Sequence, residues 1–146
     1  MTSQLNVDTI VDKAGSGGTN VKVANTSTYV SDGGAVTQNT VQGVAKGWIK
    51  FDGSISTPVA QDSFNHASLT DSSTGSYVNN VTNVFVNINY MMTTAGEHDG
   101  GHFASVGQFN HDQANTTSAS KIDYHNTSAT SVDVGNAGQV LHGDLA

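Results

Sequence analysis

Gln42-Gly43-Val44-Ala45-Lys46-Gly47-Trp48-Ile49-Lys50-Phe51-Asp52-Gly53 is the stretch around which this chain divides. It holds the only tryptophan and two of the five basic residues. Val44-Ala45 and Trp48 to Phe51 predict one strand. Asp52-Gly53 predicts a tight turn, since glycine adopts positive φ freely and aspartate can bond its own backbone. The chain before it is polar and thinly apolar, and the apolar density rises after it. It is therefore expected to be the first strand of a globular domain over 41–146 and its junction with an N-terminal arm, 1–40.

Upstream, Leu5, Val7, Ile10 and Val11 cluster before Gly15-Ser16-Gly17-Gly18. Val21 and Val23 alternate with polar neighbours, and Tyr29-Val30 precedes Asp32-Gly33-Gly34. These are short strand candidates closed by glycine-rich turns. None buries a face alone, because isolated hairpins are marginal in water. Such an arm must pack on its own domain, on another copy or on another structure. A flexible linker is the plain alternative, against which the interspersed Val and Ile argue.

Downstream, Ser54 to Val59 is a strand candidate with Pro58 marking an edge or bend. Ser63 to Leu69 is the next, then a turn over Asp71 to Ser76 and a strand from Tyr77 to Asn80. Val84-Phe85-Val86-Asn87-Ile88-Asn89-Tyr90 carries the strongest period-two signal in the chain. It predicts a half-buried antiparallel strand with Val84, Val86, Ile88 and Tyr90 on the buried face. Ala95 to Gly101 is expected to be a loop and His102 to Phe109 the returning strand. Lys121 to Tyr124, Ser131 to Val134 and Gln139 to Leu141 complete the candidates. No window shows a 3.6-residue stripe. The fold class expected is all-β: an antiparallel β-sandwich, jelly-roll-like, or a small barrel, preceded by the extended arm.

Composition agrees with that class. Hydrophobic residues are 36% of the 146 and charged residues 12%. Abundant Val, Ile and Thr with sparse charge favour strands with polar outer faces over disorder. A core this small for the length gains from burial shared with other copies, so a homo-oligomer is expected. The net charge is −7, with five lysines and no arginine, which argues against nucleic-acid binding and against anionic membrane surfaces. There is no cysteine, hence neither a disulfide framework nor thiol catalysis. No secretory signal or membrane-spanning stretch is visible, so assembly in a cytoplasm is expected.

Val41 to Gly53 resembles the opening of a β-rich domain found at the ends of bacteriophage tail fibres and related virion proteins, especially of marine and cyanobacterial phages. Asp62-Ser63-Phe64-Asn65-His66-Ala67-Ser68-Leu69-Thr70-Asp71 with Thr74-Gly75-Ser76-Tyr77 resembles the next part of that domain. Asn89-Tyr90 fits a further recurrent position, and Leu5 to Asp12 is similar to the short leader such proteins carry. The resemblance covers roughly residues 1–15 and 41–92. It implies a virion location and, for a fibre-like protein, a homotrimer; it implies no chemistry.

Glu97-His98-Asp99-Gly100-Gly101-His102 is the one local cluster with metal-ligand chemistry. His98 and His102, with Glu97 or Asp99, are the right residue types for zinc or a related metal. A zincin helix is excluded by residue order and the glycine pair; the alternative is a polar loop tip. His66, His111, His125 and His142 are scattered singly, and a lone histidine is usually a solvated or hydrogen-bonded polar residue. Asp62, Asp71, Asp99 and Asp112 include no pair singled out by spacing for glycoside hydrolysis, and Asp52, Asp62 and Asp71 stand beside turn residues. No nucleophile elbow or phosphate loop is present. Trp48, Tyr77, Tyr90, Phe103, Phe109 and Tyr124 are expected mainly in the core; exposed, any of them suits stacking on a sugar ring.

No cofactor and no catalysis are expected. The function expected is a virion structural protein: a short tail fibre or appendage, attached to other capsid or tail proteins, contacting host-surface glycan or protein through its C-terminal domain. A capsid decoration, or cement, protein stabilising the head is the alternative. A free glycan-binding module or glycan depolymerase is the reading from another class.

Overall fold

Alternating burial builds the strands in the computed structural model, which describes residues 28–30, 37–97, 104–109 and 115–146. The chain divides into two units, 1–41 and 42–146. In the first, β1 (Thr28–Val30) pairs antiparallel with β2 (Thr37–Asn39). A four-residue helix, α1 (Thr40–Gly43), spans the sequence boundary.

The second unit is mainly antiparallel sheet. Its strands are β3 (Gly47–Phe51), β4 (Ala60–Phe64), β5 (His66–Ser73), β6 (Ser76–Val81), β7 (Met91–Glu97), β8 (Ala104–Phe109), β9 (Ala119–His125) and β10 (Asn136–His142). They form one sheet in the order β4-β3-β10-β7-β8-β9-β6-β5. The first residues of β8 pair with β7 and the later ones with β9, so β8 carries the ladder from one half to the other.

The two halves meet through their side chains. Ile49 and Phe51 of β3 and Ala137 of β10 cluster with Tyr77 of β6, Ile122 and Tyr124 of β9, and Val134. Phe51 and Tyr77 stand edge to face at 5.0 Å, as do Tyr77 and Tyr124 at 6.0 Å, a geometry set by the ring quadrupoles. A second cluster joins Val81, Phe85, Tyr90 and Leu141. Each Val, Leu, Ile or Phe side chain removed from water contributes about 1.5–3 kcal/mol.

β4 and β5 lie at opposite ends of the strand order yet are separated by one residue, Asn65. Its φ is +55°, a left-handed conformation that asparagine tolerates better than most residues. The side chain then ties the corner. Nδ2 donates to the carbonyls of Lys46 (2.8 Å) and Asn83 (3.0 Å), and Oδ1 accepts the Asn83 N–H at 2.6 Å. The expected single strand Ser63 to Leu69 is thus broken in two. Because the chain turns out of β4 here instead of laying β5 beside it, the two ends do not pair and no barrel closes. This corrects the small-barrel alternative.

The largest correction concerns Val84 to Tyr90, which is not a strand. Phe85 makes one isolated bridge, to Leu145. Phe85 and Tyr90 are the buried members, stacked at 4.4 Å, whereas Val84, Val86 and Ile88 are exposed. Asn87 Oδ1 accepts the Asn89 N–H at 2.8 Å, a local bond that competes with ladder pairing and bends the chain. Ser54 to Val59 is also irregular, as is Ser131 to Val134 apart from a bridge from Ser131 to His125. β7 runs on through Ala95–Glu97, where a loop was expected. β5 continues to Ser73, leaving a tighter turn at Thr74-Gly75. β8 does return beside β7, as His102 to Phe109 predicts.

Candidate functional site

In β3 and β10 the inward residues are Ile49, Phe51, Ala137, Gln139 and Leu141, so Trp48, Lys50, Gly138, Val140 and His142 take the opposite face. Cross-strand register assembles that outer face into rungs. One is Phe64–Trp48–Val140–Thr93, the next Asp62–Lys50–Gly138–Ala95, and on the other side His142 stands beside Met91. Phe64 is 53% exposed and Met91 65%. Trp48 is half-buried, and its indole N–H has no hydrogen-bond partner among the described residues. Trp48, Thr93, Ala95, Gly138 and Val140 line a shallow trough of about 220 Å³.

Gly138 forms the floor of that trough. Glycine inside a strand costs roughly 0.5–1 kcal/mol relative to alanine, and it commonly marks close approach by another group. At Gly138 the fold makes no such demand: φ is not positive, and an added Cβ would meet only the Ile49 carbonyl oxygen, at an ordinary 3.6 Å. What a side chain there would fill is the outer space beside Trp48.

Two residues further along β10 the face deepens into a cleft of about 350 Å³. Its lining includes Asn87, Asn89, Met91, His142 and Asp144. The bend that overturns the expected strand places Asn87 and Asn89 there. Among the described residues, the Asn89 side chain and the His142 ring make no hydrogen bond. Cleft and trough therefore combine apolar surface with polar groups, the Trp48 indole N–H, the Asn89 amide and the His142 ring, that make no hydrogen bond among the described residues.

One set of interior polar groups is engaged instead with itself. His66 Nδ1 lies 2.8 Å from Asn79 Oδ1, and Asn79 Nδ2 donates to Gln139 Oε1 at 2.8 Å. Gln139 Nε2 donates to Ser120 Oγ and to Met92 Sδ, and Ser120 Oγ donates to Met92 Sδ at 3.6 Å. Because Asn79 Oδ1 is an acceptor, His66 carries a proton on Nδ1. Buried polar chains of this kind specify a core when every member is satisfied. Elsewhere, Asp133 Oδ1 accepts the Gly75 N–H at 2.7 Å and faces the Tyr77 hydroxyl at 3.0 Å, which also lies 3.0 Å from the Gly53 carbonyl. Burial first, and Asp133 second, push the Tyr77 pKa well up. Gly53 is needed there because a Cβ would strike the Tyr77 hydroxyl.

Among the described residues, the acidic groups named from sequence are dispersed. Asp52 Oδ1 accepts the Ser54 hydroxyl and, second, its N–H, which lowers its pKa, and Asp62 Oδ1 accepts the Ser63 N–H. Desolvation, with Asp133 as a smaller cause, raises the pKa of Asp71. Of the proposed metal ligands, Glu97 ends β7, where its Oε2 accepts from Asn136 Nδ2 at 3.0 Å. His98, Asp99 and His102 lie outside the described residues, as do His111 and Asp112. Among the described residues no three His, Asp or Glu groups converge to hold a metal ion. His125 Nδ1 is buried without a hydrogen-bond partner among the described residues.

Of the aromatic set, Tyr77, Tyr90 and Tyr124 are buried, whereas Trp48 faces outward. Phe103 is outside the described residues, and the side chain of Phe109 likewise. Sequence reasoning missed Phe64, Gly138, Val140 and the Asn87–Asn89 bend. The one available signal was parity: Trp48 alternates with Ile49 and Phe51, so both sides of β3 are apolar. Comparison with protein-family models, with curated proteins and with solved structures finds no match to this chain.

Proposed function

We propose that this chain is a structural and contact protein of a bacteriophage virion, a short fibre or appendage on the particle surface. In this reading, residues 41–146 form a jelly-roll-like β-sandwich and residues 1–40 an arm that anchors or trimerises it. The working unit is a homotrimer attached to other capsid or tail proteins and touching host-surface glycan or protein. It is assembled in the host cytoplasm, and no catalysis is assigned to it. The observation that carries the proposal is the division of labour between faces. Asn79, Gln139 and Ser120 of the core are spent on bonds within the fold, while the outer face of β4-β3-β10-β7 displays Phe64, Trp48, Val140 and Met91. Surface apolar residues gathered on one face favour contact with a partner. The sequence resemblance over 41–53 and 62–77 supplies the virion context.

A capsid decoration protein is the second reading, favoured by the same face, since a lattice protein makes permanent apolar contacts over a broad surface. Quantitative mass spectrometry of purified particles, with gold-labelled antibody imaging, separates them. A few trimers at the tail support the appendage, and hundreds of copies over the head support decoration. Absence from particles overturns both.

A further inference from the structure

We propose that the trough and cleft along β10 form one binding track for a neutral oligosaccharide, with Trp48 stacking on a pyranose ring and Asn87, Asn89, His142 and Asp144 meeting its hydroxyls. The proposal rests on the contact-protein reading and gives that reading a ligand class. Val140 and His142 are successive outward residues of β10, and Gly138 precedes them. From Gly138 to His142 the strand advances about 13 Å, and the cleft continues to Asp144. That is the scale of a short run of linked sugars.

The chemistry of the lining selects the occupant. A pyranose offers a patch of C–H groups on its ring face and hydroxyls at its rim. The trough offers an indole beside Val140 above a glycine floor; the cleft offers amide, imidazole and carboxylate groups beside Met91. Aromatic surface with adaptable polar neighbours is how proteins hold such amphipathic ligands. A lipid tail would leave the cleft's amides unpaired, and each buried unpaired polar group is penalised. A peptide strand needs an open sheet edge, and β10 is paired on both sides, with β3 and β7. A second copy of this face would set apolar side chains against Asn89 and His142. Anionic polymers meet a chain of net charge −7 with Asp144 in the cleft. A neutral glycan satisfies both depressions.

Trp48 is the only tryptophan, so its fluorescence and its single indole N–H resonance report on the track directly. The experiment titrates the full chain with a panel of neutral tetrasaccharides (cellotetraose, maltotetraose, chitotetraose) and with tetragalacturonate as the acidic control. We expect a saturable blue shift with at least one neutral sugar at a Kd of about 0.1–1 mM, and none with the acidic one. Gly138→Val, whose Cβ would meet the Ile49 carbonyl oxygen at an ordinary 3.6 Å, is expected to keep the unfolding midpoint and weaken binding at least tenfold. Asn89→Ala, on the exposed bend, is expected to weaken it severalfold and serves as the second variant if Gly138→Val unfolds. The proposal is overturned if no neutral sugar gives a saturable response up to about 10 mM, or if neither variant weakens the response. A change of mass in solution caused by Gly138→Val would show a subunit interface in the trough and also overturn it. Finding the chain on particles without sugar binding removes this inference alone, whereas sugar binding by a chain absent from particles removes only the virion reading.

Discussion

Asn65 is a single residue on which the β4–β5 corner depends, and three substitutions there separate its contributions. Asn65→Gly keeps the left-handed backbone and removes the side chain's three hydrogen bonds. One of these, to the Lys46 carbonyl, is partly buried; the two to Asn83 are exposed. A net hydrogen bond contributes about 0.5–1.5 kcal/mol, and exposed ones fall at the low end. Asn65→Gly is therefore expected to cost about 2 kcal/mol. Asn65→Ala loses the same bonds and places a Cβ residue at φ +55°, adding about 1 kcal/mol. Asn65→Asp retains an acceptor for the Asn83 N–H but turns a carboxylate oxygen toward the Lys46 and Asn83 carbonyls, so it should fall below glycine. Urea unfolding followed by Trp48 fluorescence, with far-ultraviolet dichroism as a second probe, reads all three. The order asparagine, glycine, alanine is the expected result. An Asn65→Gly protein as stable as the parent would show that the bridging bonds contribute nothing and would refute the argument.

Gly75 sits at φ +70° in the β5–β6 turn, and a Cβ there would lie 2.7 Å from the Tyr124 carbonyl oxygen and 2.8 Å from the Val132 backbone. Gly75→Ala is expected to lower stability by about 3 kcal/mol, measured by the same urea titration. Gln139→Leu strips Asn79 Nδ2 of its acceptor inside the core and should cost about 2–3 kcal/mol. In a double-mutant cycle with Asn79→Ala, the pair should cost at least about 1 kcal/mol less than the sum. Additive losses would sink the idea of a coupled chain. Burial raises the hydroxyl pKa of Tyr77, Tyr90 and Tyr124, that of Tyr90 to about 12. Above the ordinary tyrosine value near 10, the unfolded chain releases protons that the folded one keeps. Stability is then full below about pH 10 and falls by about 1.4 kcal/mol per pH unit for each tyrosine until that tyrosine's own folded pKa is passed. Thermal scans from pH 9 to 12 should show a midpoint flat at first and then falling; a flat profile throughout would contradict the buried phenols.

The all-β class was legible because β-branched runs between turn residues leave little else to form, and the cores of β3, β6, β9 and β10 fall inside predicted stretches. The failures have a common cause. Period-two spacing reports which side chains share a face, but not whether the backbone finds a partner. In Val84 to Tyr90 the alternation is real, yet Asn87 closes a local bond to the Asn89 N–H and Phe85, of the opposite parity, takes the core. At Ser63 to Leu69 the apolar pattern runs through Asn65 without marking it, because a left-handed residue is a property of φ and asparagine occupies many conformations. Trp48 was expected in the core with the other aromatics, but Ile49 and Phe51 fix the parity of β3 against it. The outer track was not legible, since it is assembled by register across β4, β3, β10 and β7 and by a glycine whose meaning depends on its neighbours.

The two margins of the eight-stranded sheet, β4 and β5, have no outer partner strand among the described residues and are halves of one covalent run hinged at a single residue. Margins with free amide and carbonyl groups invite foreign strands, and here Asp62 and Asp71 each place a negative charge on one of them. Guarding both borders of the molecule is thus the work of a segment barely longer than a dozen residues. A nick or a loosening at its midpoint would unlatch two templates for polymerisation in the same event.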